Sequence, residues 1–561
     1  MEVTMNKFNL TSCAVQNKSP ESPASVFAAS ELTKYLEMIS KSNSPEAAEN
    51  VIFVGLDEEI QSKEGFSITS SDNGVSICIL GGGERGIVYG AYSFLEKYCG
   101  CRFYAKDVEL IPESDFIALD SPIVFKESPL MEYRDLHWHC SFDPDWAAKN
   151  MLNSTLLRPL DEGRGGGIAY GGFVHTLGHL TGTSEHSQPC LSDPEMLKKT
   201  IAGVRDILKK QPDVKIVSVS QNDNYEYCKC EKCAAVDIEE GSHMGTLIRF
   251  VNAVADDIKD DYPDIAIDTL AYQYTRGAPK ITKPRDNVII RLCTIECCFS
   301  HPLNECTRET QFKASDLGWK TVVEDMKDWG KICSRIYVWD YTTDYAHFMA
   351  PFPNFGVLRQ NMRFFAENNV RGVFEQGNMC AISGEFGELR AYLLAKLLRY
   401  PYMAETEYFS YAKDFLKGYY GAGWTHVADY LKLVHKISAD THFIIFDHPF
   451  KLMPDVSLET IAKMNAMWDA AESLAGDKDE LNRVKRSRLC ARYYESLVLD
   501  RRMNAETDEA KKADMKAEIA EHNRALCNAV KSHGITTIRE WTKLKSADDI
   551  DFTLTPETWN A

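Results

Sequence analysis

Between Pro129 and about residue 400, short apolar runs alternate with long stretches of helical spacing, and the alternation repeats eight times. The runs are Glu132–His137, Ser154–Leu160, Gly172–Leu177, Ile216–Ser220, Ile265–Ala271, Val288–Cys293, Arg335–Tyr341 and Gly372–Glu375. Runs this short have strand length, and a helical connection between two strands returns the chain to the end it started from, so the strands pair in parallel. Eight such units close as a (β/α)8, TIM-like barrel. The connections between Trp146 and His175 are short and glycine-rich, which predicts a deformed barrel over the first three strands.

Barrel enzymes place their reacting groups at the C-terminal ends of the strands. The first run ends in Arg134, Asp135 and His137, the third carries His175 near its end, and the fourth leads into Gln221-Asn222-Asp223-Asn224. The fifth ends in Tyr272, the sixth leads to Glu296, the seventh ends in Trp339-Asp340-Tyr341 and the eighth in Glu375. Four carboxylates, Asp223, Glu296, Asp340 and Glu375, are thus predicted to share one rim with aromatic side chains. Aromatic faces stack on sugar rings, and paired carboxylates supply the acid, base or nucleophile of glycosidic cleavage. Asp223 is the first choice for general acid or for the carboxylate that orients the substrate, and Glu296 and Glu375 compete for the second role. His137, His175, Asn222, Tyr272, Trp339, Asp340 and Tyr341 are the expected sugar-binding residues.

A chain of 561 residues exceeds the roughly 250–300 at which single cores stop growing. Three domains are expected: an α/β module over 1–125, the barrel over 126–425 and a helical region over 426–561. In the first module, Gly81, Gly83 and Gly86 follow a strand at the spacing of a dinucleotide cradle. No second parallel strand follows that would place an acidic residue against a ribose, so nucleotide binding is not expected. The formal net charge of -19 and the absence of a Lys/Arg stripe exclude a phosphate-backbone partner. No apolar run reaches the roughly 20 residues of a membrane span. Residues 1–10 lack the basic and apolar blocks of a signal peptide, and 17 cysteines suit a reducing compartment, so a cytoplasmic location is expected. Removal of a leader would make the same sequence periplasmic or secreted.

Cys228-Lys229-Cys230-Glu231-Lys232-Cys233 offers three thiolates at zinc-binding spacing. His243 lies nearby as a candidate fourth ligand, but a second cysteine pair at proper spacing is missing, so no metal or cofactor is assigned. Cys297, Cys298 and Cys306 could ligate or pair, and spacing alone does not choose.

The segment from Gly81 to Tyr104 resembles the accessory domain in front of the barrels of β-hexosaminidases and α-glucuronidases, which implies a structural part for Arg85 and Tyr89. Residues 80 to 400 resemble a large bacterial family described as a domain of unknown function within the barrel glycosidase superfamily. The resemblance is carried by Ser218 to Asp223 leading into the cysteine run, Thr294 to Leu303, Tyr337 to Tyr341, Pro351 to Asn354, and Phe374 to Gly377 followed by Glu388 to Tyr392. Some members are endo-β-N-acetylglucosaminidases, so the resemblance implies a glycan substrate cleaved at a β-linked N-acetylglucosamine. A 2-acetamido group can itself attack the anomeric carbon, in which case the protein supplies one acid and one polarising carboxylate. Two other readings are an α-glucuronidase, with Arg134, Arg158 or Arg291 gripping a uronate, and a barrel that binds glycans without cleaving them.

Overall fold

The computed structural model describes residues 6–41, 49–119, 122–306, 308, 317–318, 320–454, 456–540 and 542–546. The chain forms two compact units, one of residues 1–135 and 140–168, the other of 136–139 and 169–561. The first unit therefore runs past residue 125, and the C-terminal helices belong to the same unit as the large sheet.

In the first unit, β1 (Cys13–Asn17), β2 (Asn50–Leu56), β3 (Phe66–Ser70), β4 (Ser76–Gly81) and β5 (Val124–Glu127) form a mixed sheet in the order β1-β2-β4-β3-β5. Helices Pro23–Ser40 and Glu84–Lys97 contribute Leu32, Leu36, Ile87 and Phe94 to its core, opposite Ile52, Ile77 and Ile79. The glycine turn that resembles a phosphate cradle is filled by the protein's own backbone. A Cβ at Gly81 would overlap the Ile87 nitrogen, and one at Gly86 the Gly65 carbonyl oxygen. Close backbone packing, rather than a ligand, accounts for these glycines.

The second unit is built on a seven-stranded parallel sheet. Its strands are β6 (Tyr133–His137), β7 (Ala169–Gly171), β8 (Val214–Ser218), β9 (Ala266–Ala271), β10 (Val288–Cys293), β11 (Ile336–Tyr341) and β12 (Val370–Gln376), in the order β6-β12-β11-β10-β9-β8-β7. Six of the eight predicted strands are present within two residues of their expected bounds. The other two are displaced. Ser154–Leu160 is reduced to one bridge between Ser154 and Ile168, where Asn153 N–H donates to the Arg134 carbonyl and Ile168 N–H to that of Asn153. Arg158 in this segment turns instead to the buried Asp135, at 3.0 Å. The expected strand Gly172–Leu177 lies just beyond the observed β7, because Gly172 takes φ +73 and ends the extended run.

C-terminal helices cover Glu405–Tyr420, Trp424–Ser438, Leu458–Ser473, Lys478–Ala505 and Glu509–Ser532, close to the helical patterns of the sequence. After them Thr537–Arg539 pairs with Thr542–Lys543. Among the described residues no helix is long and apolar enough to cross a membrane.

Candidate active site

The inner face of the large sheet is packed with side chains. His137 meets Phe374 edge-on at 4.1 Å, Phe173 lies 5.0 Å from Phe374, and Trp339 lies 4.7 Å from Phe374. Arg291 sits over the Phe173 ring at 4.1 Å and is neutralised by Asp268 at 2.8 Å. His137, Arg291, Trp339 and Phe374 come from β6, β10, β11 and β12 and Phe173 from just past β7, so together they plug the interior of the sheet.

Strand alternation then sorts the acids. Neighbouring residues of a strand point to opposite faces, so Asp340 and Glu375, next to Trp339 and Phe374, point away from this plug. They are register partners on β11 and β12, both buried, and Asp340 accepts from Thr294 Oγ1 at 2.5 Å. Glu375 Oε2 has no hydrogen-bond partner among the described residues. Burial, and then the charge of Asp340, push the Glu375 carboxyl well above its usual range, and burial pushes Asp340 up as well.

Asp223 and Glu296 form the other group. Asp223 stands exposed beyond the end of β8 and accepts from Tyr272 Oη at 3.2 Å and from Gln273 Nε2 at 3.3 Å. Glu296, three residues past β10, is buried and takes Arg276 Nη1 at 3.1 Å. Arg276 also holds the buried Asp325 through Nε at 2.8 Å. Burial, and then the charges of both acids among others, push up the phenols of Tyr225 and Tyr272. Gln273 and Arg276, the residues that touch Asp223 and Glu296, line one cleft of about 190 Å³ together with Tyr274, Lys320 and Asp325. The predicted ring of four acids is thus resolved into two pairs, one of which adjoins the cleft.

The predicted binding residues divide in the same way. Tyr272 lies beside Asp223, and His175 is near it, with ring centroids 6.3 Å apart. His175 Nδ1–H donates to the Gln221 carbonyl at 2.8 Å, which leaves Nε2 as an acceptor. His175 and Gln273 both take positive φ, +54 and +53, a conformation rare outside glycine that concentrates at functional sites. Tyr341 is buried between Trp339 and Tyr345, while Trp339 is half-buried and donates from Nε1 to Gln376 at 2.8 Å. His137 lies in the plug below. Asn222 is occupied within the protein: its Oδ1 accepts from Gly178 N–H at 2.9 Å and its Nδ2 donates to the carbonyl of Ser187 at 2.7 Å. It shapes the loop that carries Asp223.

Glu540 carries no sequence signal, being about 165 residues beyond the last sheet strand in a polar turn. Its N–H donates to the Tyr345 carbonyl at 2.8 Å, and burial together with the charge of Asp223 pushes its carboxyl up to about 7. Only tertiary structure brings this carboxyl to Asp223.

The fourth thiol missing near the cysteine run is Cys190, 38 residues upstream of Cys228. Its Sγ lies 3.8 Å from that of Cys230 and 3.9 Å from that of Cys233. Three ligands alone do not assign a metal, and the segment before the helix Pro194–Lys210 supplies the fourth. None of the 17 cysteines is in a disulfide.

The family model described as Domain of unknown function (DUF4838) matches residues 103–432. The chain belongs to this family. Among solved structures, a family GH115 4-O-methyl-α-glucuronidase with specificity for decorated arabinogalactans superposes with a TM-score of 0.57 at 9% identity, over 98% of this chain and 80% of that one. A family 89 glycoside hydrolase from Clostridium perfringens, in complex with GlcNAc-α-1,4-galactose, gives 0.52 at 9% identity, over 91% and 66%. Likenesses at such identity establish the fold alone. No curated protein sequence matches the chain.

Glu375 permits a test of the outer pair. A carboxyl whose folded value is raised binds its proton more tightly in the folded state. Its stabilising contribution is complete below the unfolded value near 4.3 and is lost as pH rises through the folded value. Glu375→Gln removes this dependence. Urea denaturation at pH 5 and pH 8 should show the variant gaining stability relative to wild type at the higher pH, and an equal difference at both would refute the buried-pair assignment.

Proposed function

We propose that the seven-stranded sheet is the body of a (β/α)8-type glycoside hydrolase barrel, and that the chain cleaves a glycan at the rim where Gln273 and Arg276, the contacts of Asp223 and Glu296, line one cleft. That common cleft is the observation that carries the reading. One acid is exposed and hydrogen-bonded by neutral donors, while the other is buried and compensated by a guanidinium, and this inequality of environment separates acid from base roles. Asp223, together with the proton held by Glu540 near neutrality, supplies the general acid. Glu296, compensated by Arg276, serves as the carboxylate that polarises the attacking group. His175 Nε2 is an acceptor for a sugar hydroxyl.

The preferred substrate is a β-linked N-acetylglucosamine of an oligosaccharide, where the acetamido carbonyl attacks and Glu296 polarises its N–H. The α-glucuronidase reading loses its recognition residues, because Arg134 is neutralised by Glu64 at 2.7 Å, Arg158 by Asp135 at 3.0 Å and Arg291 by Asp268 at 2.8 Å, all buried. The test is hydrolysis of complex N-glycans, aryl N-acetylglucosaminides and glucuronoxylan oligomers by the purified chain. Release of an N-acetylglucosamine-terminated product supports the reading. Binding of these glycans with no turnover would make the rim a lectin-like site and sink the enzymatic proposal.

A further inference from the structure

Two groups of four side chains, distinct from the carboxylates above, have the make-up of closed metal sites. Cys190, Cys228, Cys230 and Cys233 bring their sulfurs within 4.8 Å of one another. Cys298, His301, Cys306 and His442 do the same with two sulfurs and two ring nitrogens. We propose that the chain carries two structural zinc ions, one held by the four cysteines and one by the mixed set of two cysteines and two histidines.

The spacing fits tetrahedral zinc. A Zn–S bond of about 2.3 Å places neighbouring sulfurs about 3.8 Å apart, and mixed Zn–S and Zn–N bonds give edges of about 3.5 Å. In the first site the Cys190 sulfur lies 3.8 and 3.9 Å from those of Cys230 and Cys233. The Cys233 N–H also donates to Cys230 Sγ at 3.5 Å, an arrangement that suits a thiolate. In the second, Cys298 Sγ lies 3.4 Å from His301 Nδ1 and 3.5 Å from His442 Nδ1, and Cys306 Sγ lies 3.4 Å from His442 Nδ1.

Contacts around the second site set the histidine tautomer. His301 Nε2 lies 3.1 Å from the Ala439 carbonyl, which accepts an N–H and so leaves the Nδ1 lone pair directed at Cys298. Ser300 Oγ also lies 3.1 Å from His301 Nδ1, but its proton is donated to the Thr441 carbonyl and does not block that lone pair. Each site has four protein ligands and no open position, the mark of a structural rather than a catalytic zinc.

Both sites clamp loops beside the cleft. The four-cysteine site ties the loop after β8, five residues beyond Asp223, to the segment that precedes the helix Pro194–Lys210. In the mixed site, the loop after β10, two residues beyond Glu296, is tied to His442 after the helix Trp424–Ser438. Metal binding at either site does not depend on glycan cleavage.

The full chain, produced with zinc in the medium and passed through gel filtration in a weak chelator, should contain two zinc ions per chain by mass spectrometry. Cys190→Ser with Cys233→Ser should reduce the count to one, as should His442→Ala with Cys306→Ser. Cobalt(II) in place of zinc should give thiolate charge-transfer bands, the weaker set surviving in the Cys190/Cys233 variant. If a variant does not fold, the wild-type count decides. Wild-type protein without zinc, whether its cysteines titrate as thiols or have paired as disulfides, overturns the proposal, as does a count unchanged in both variants.

Discussion

Asp223→Asn and Glu296→Gln each lower kcat by about 10²–10⁴-fold on the glycan that the wild type cleaves, the range expected when a general acid or its partner is removed. Both changes keep side-chain volume and leave the inner aromatic plug untouched, so circular dichroism should be unaltered. Glu375→Gln, on the opposite face of the sheet, should stay within about tenfold of wild type, a difference of about 1.4 kcal/mol in barrier. The pH profile adds an independent reading. Burial and the charge of Asp223 hold a proton on Glu540 up to about 7, so the rate should fall as pH rises through that value. Glu540→Gln removes that proton and should move this alkaline limb to lower pH. A limb that stays in place would assign the proton to another group, and full activity in both Asp223→Asn and Glu296→Gln would remove the proposed acid pair.

Most of the parallel sheet was readable because its strands are short, mainly apolar runs, as in Val288–Cys293, where Arg291 alone interrupts the apolar residues and observed and expected bounds coincide. The two displaced strands had no such run. Ser154–Leu160 mixes Ser, Thr and Arg, and its Arg158 is drawn to a buried carboxylate, while a left-handed glycine ends β7 before the predicted run begins. At the site, sequence placed acids at strand ends but carried no information on which face they point to. That depends on a one-residue pleat relative to Trp339 and Phe374, and it separates Asp340 and Glu375 from Asp223 and Glu296. Glu540, Cys190 and His442 were invisible for another reason. Each is brought to its neighbours by long-range closure of the chain, and none lies within a local motif.

Glu64→Ala should be the most destabilising single change in the first unit, by about 3–5 kcal/mol, because it leaves a buried guanidinium uncompensated. Glu64 accepts from Arg85 Nε at 2.6 Å, from Arg134 Nη1 at 2.7 Å and from Asn153 Nδ2 at 2.8 Å. Arg134 is 1% exposed and otherwise meets only neutral partners, the Met151 carbonyl at 2.7 Å, the Met131 carbonyl at 2.5 Å and Tyr89 Oη at 3.0 Å. Burial alone would raise the Glu64 carboxyl, but Arg134 and Arg85 outweigh it and hold the group below its usual value. The stability it contributes is therefore present above the ordinary carboxyl range and is lost as pH falls through the depressed folded value. The ion pair of Lys41 with Glu113 provides a control in the same unit. Its side chains are 65% and 68% exposed, and Lys41→Ala should change stability by less than about 1 kcal/mol. Denaturant titration at pH 7 should separate the two variants clearly. Equal, small effects would mean that Arg134 finds water or another carboxylate once Glu64 is gone, and the Glu64 cluster would no longer explain how this unit is held together.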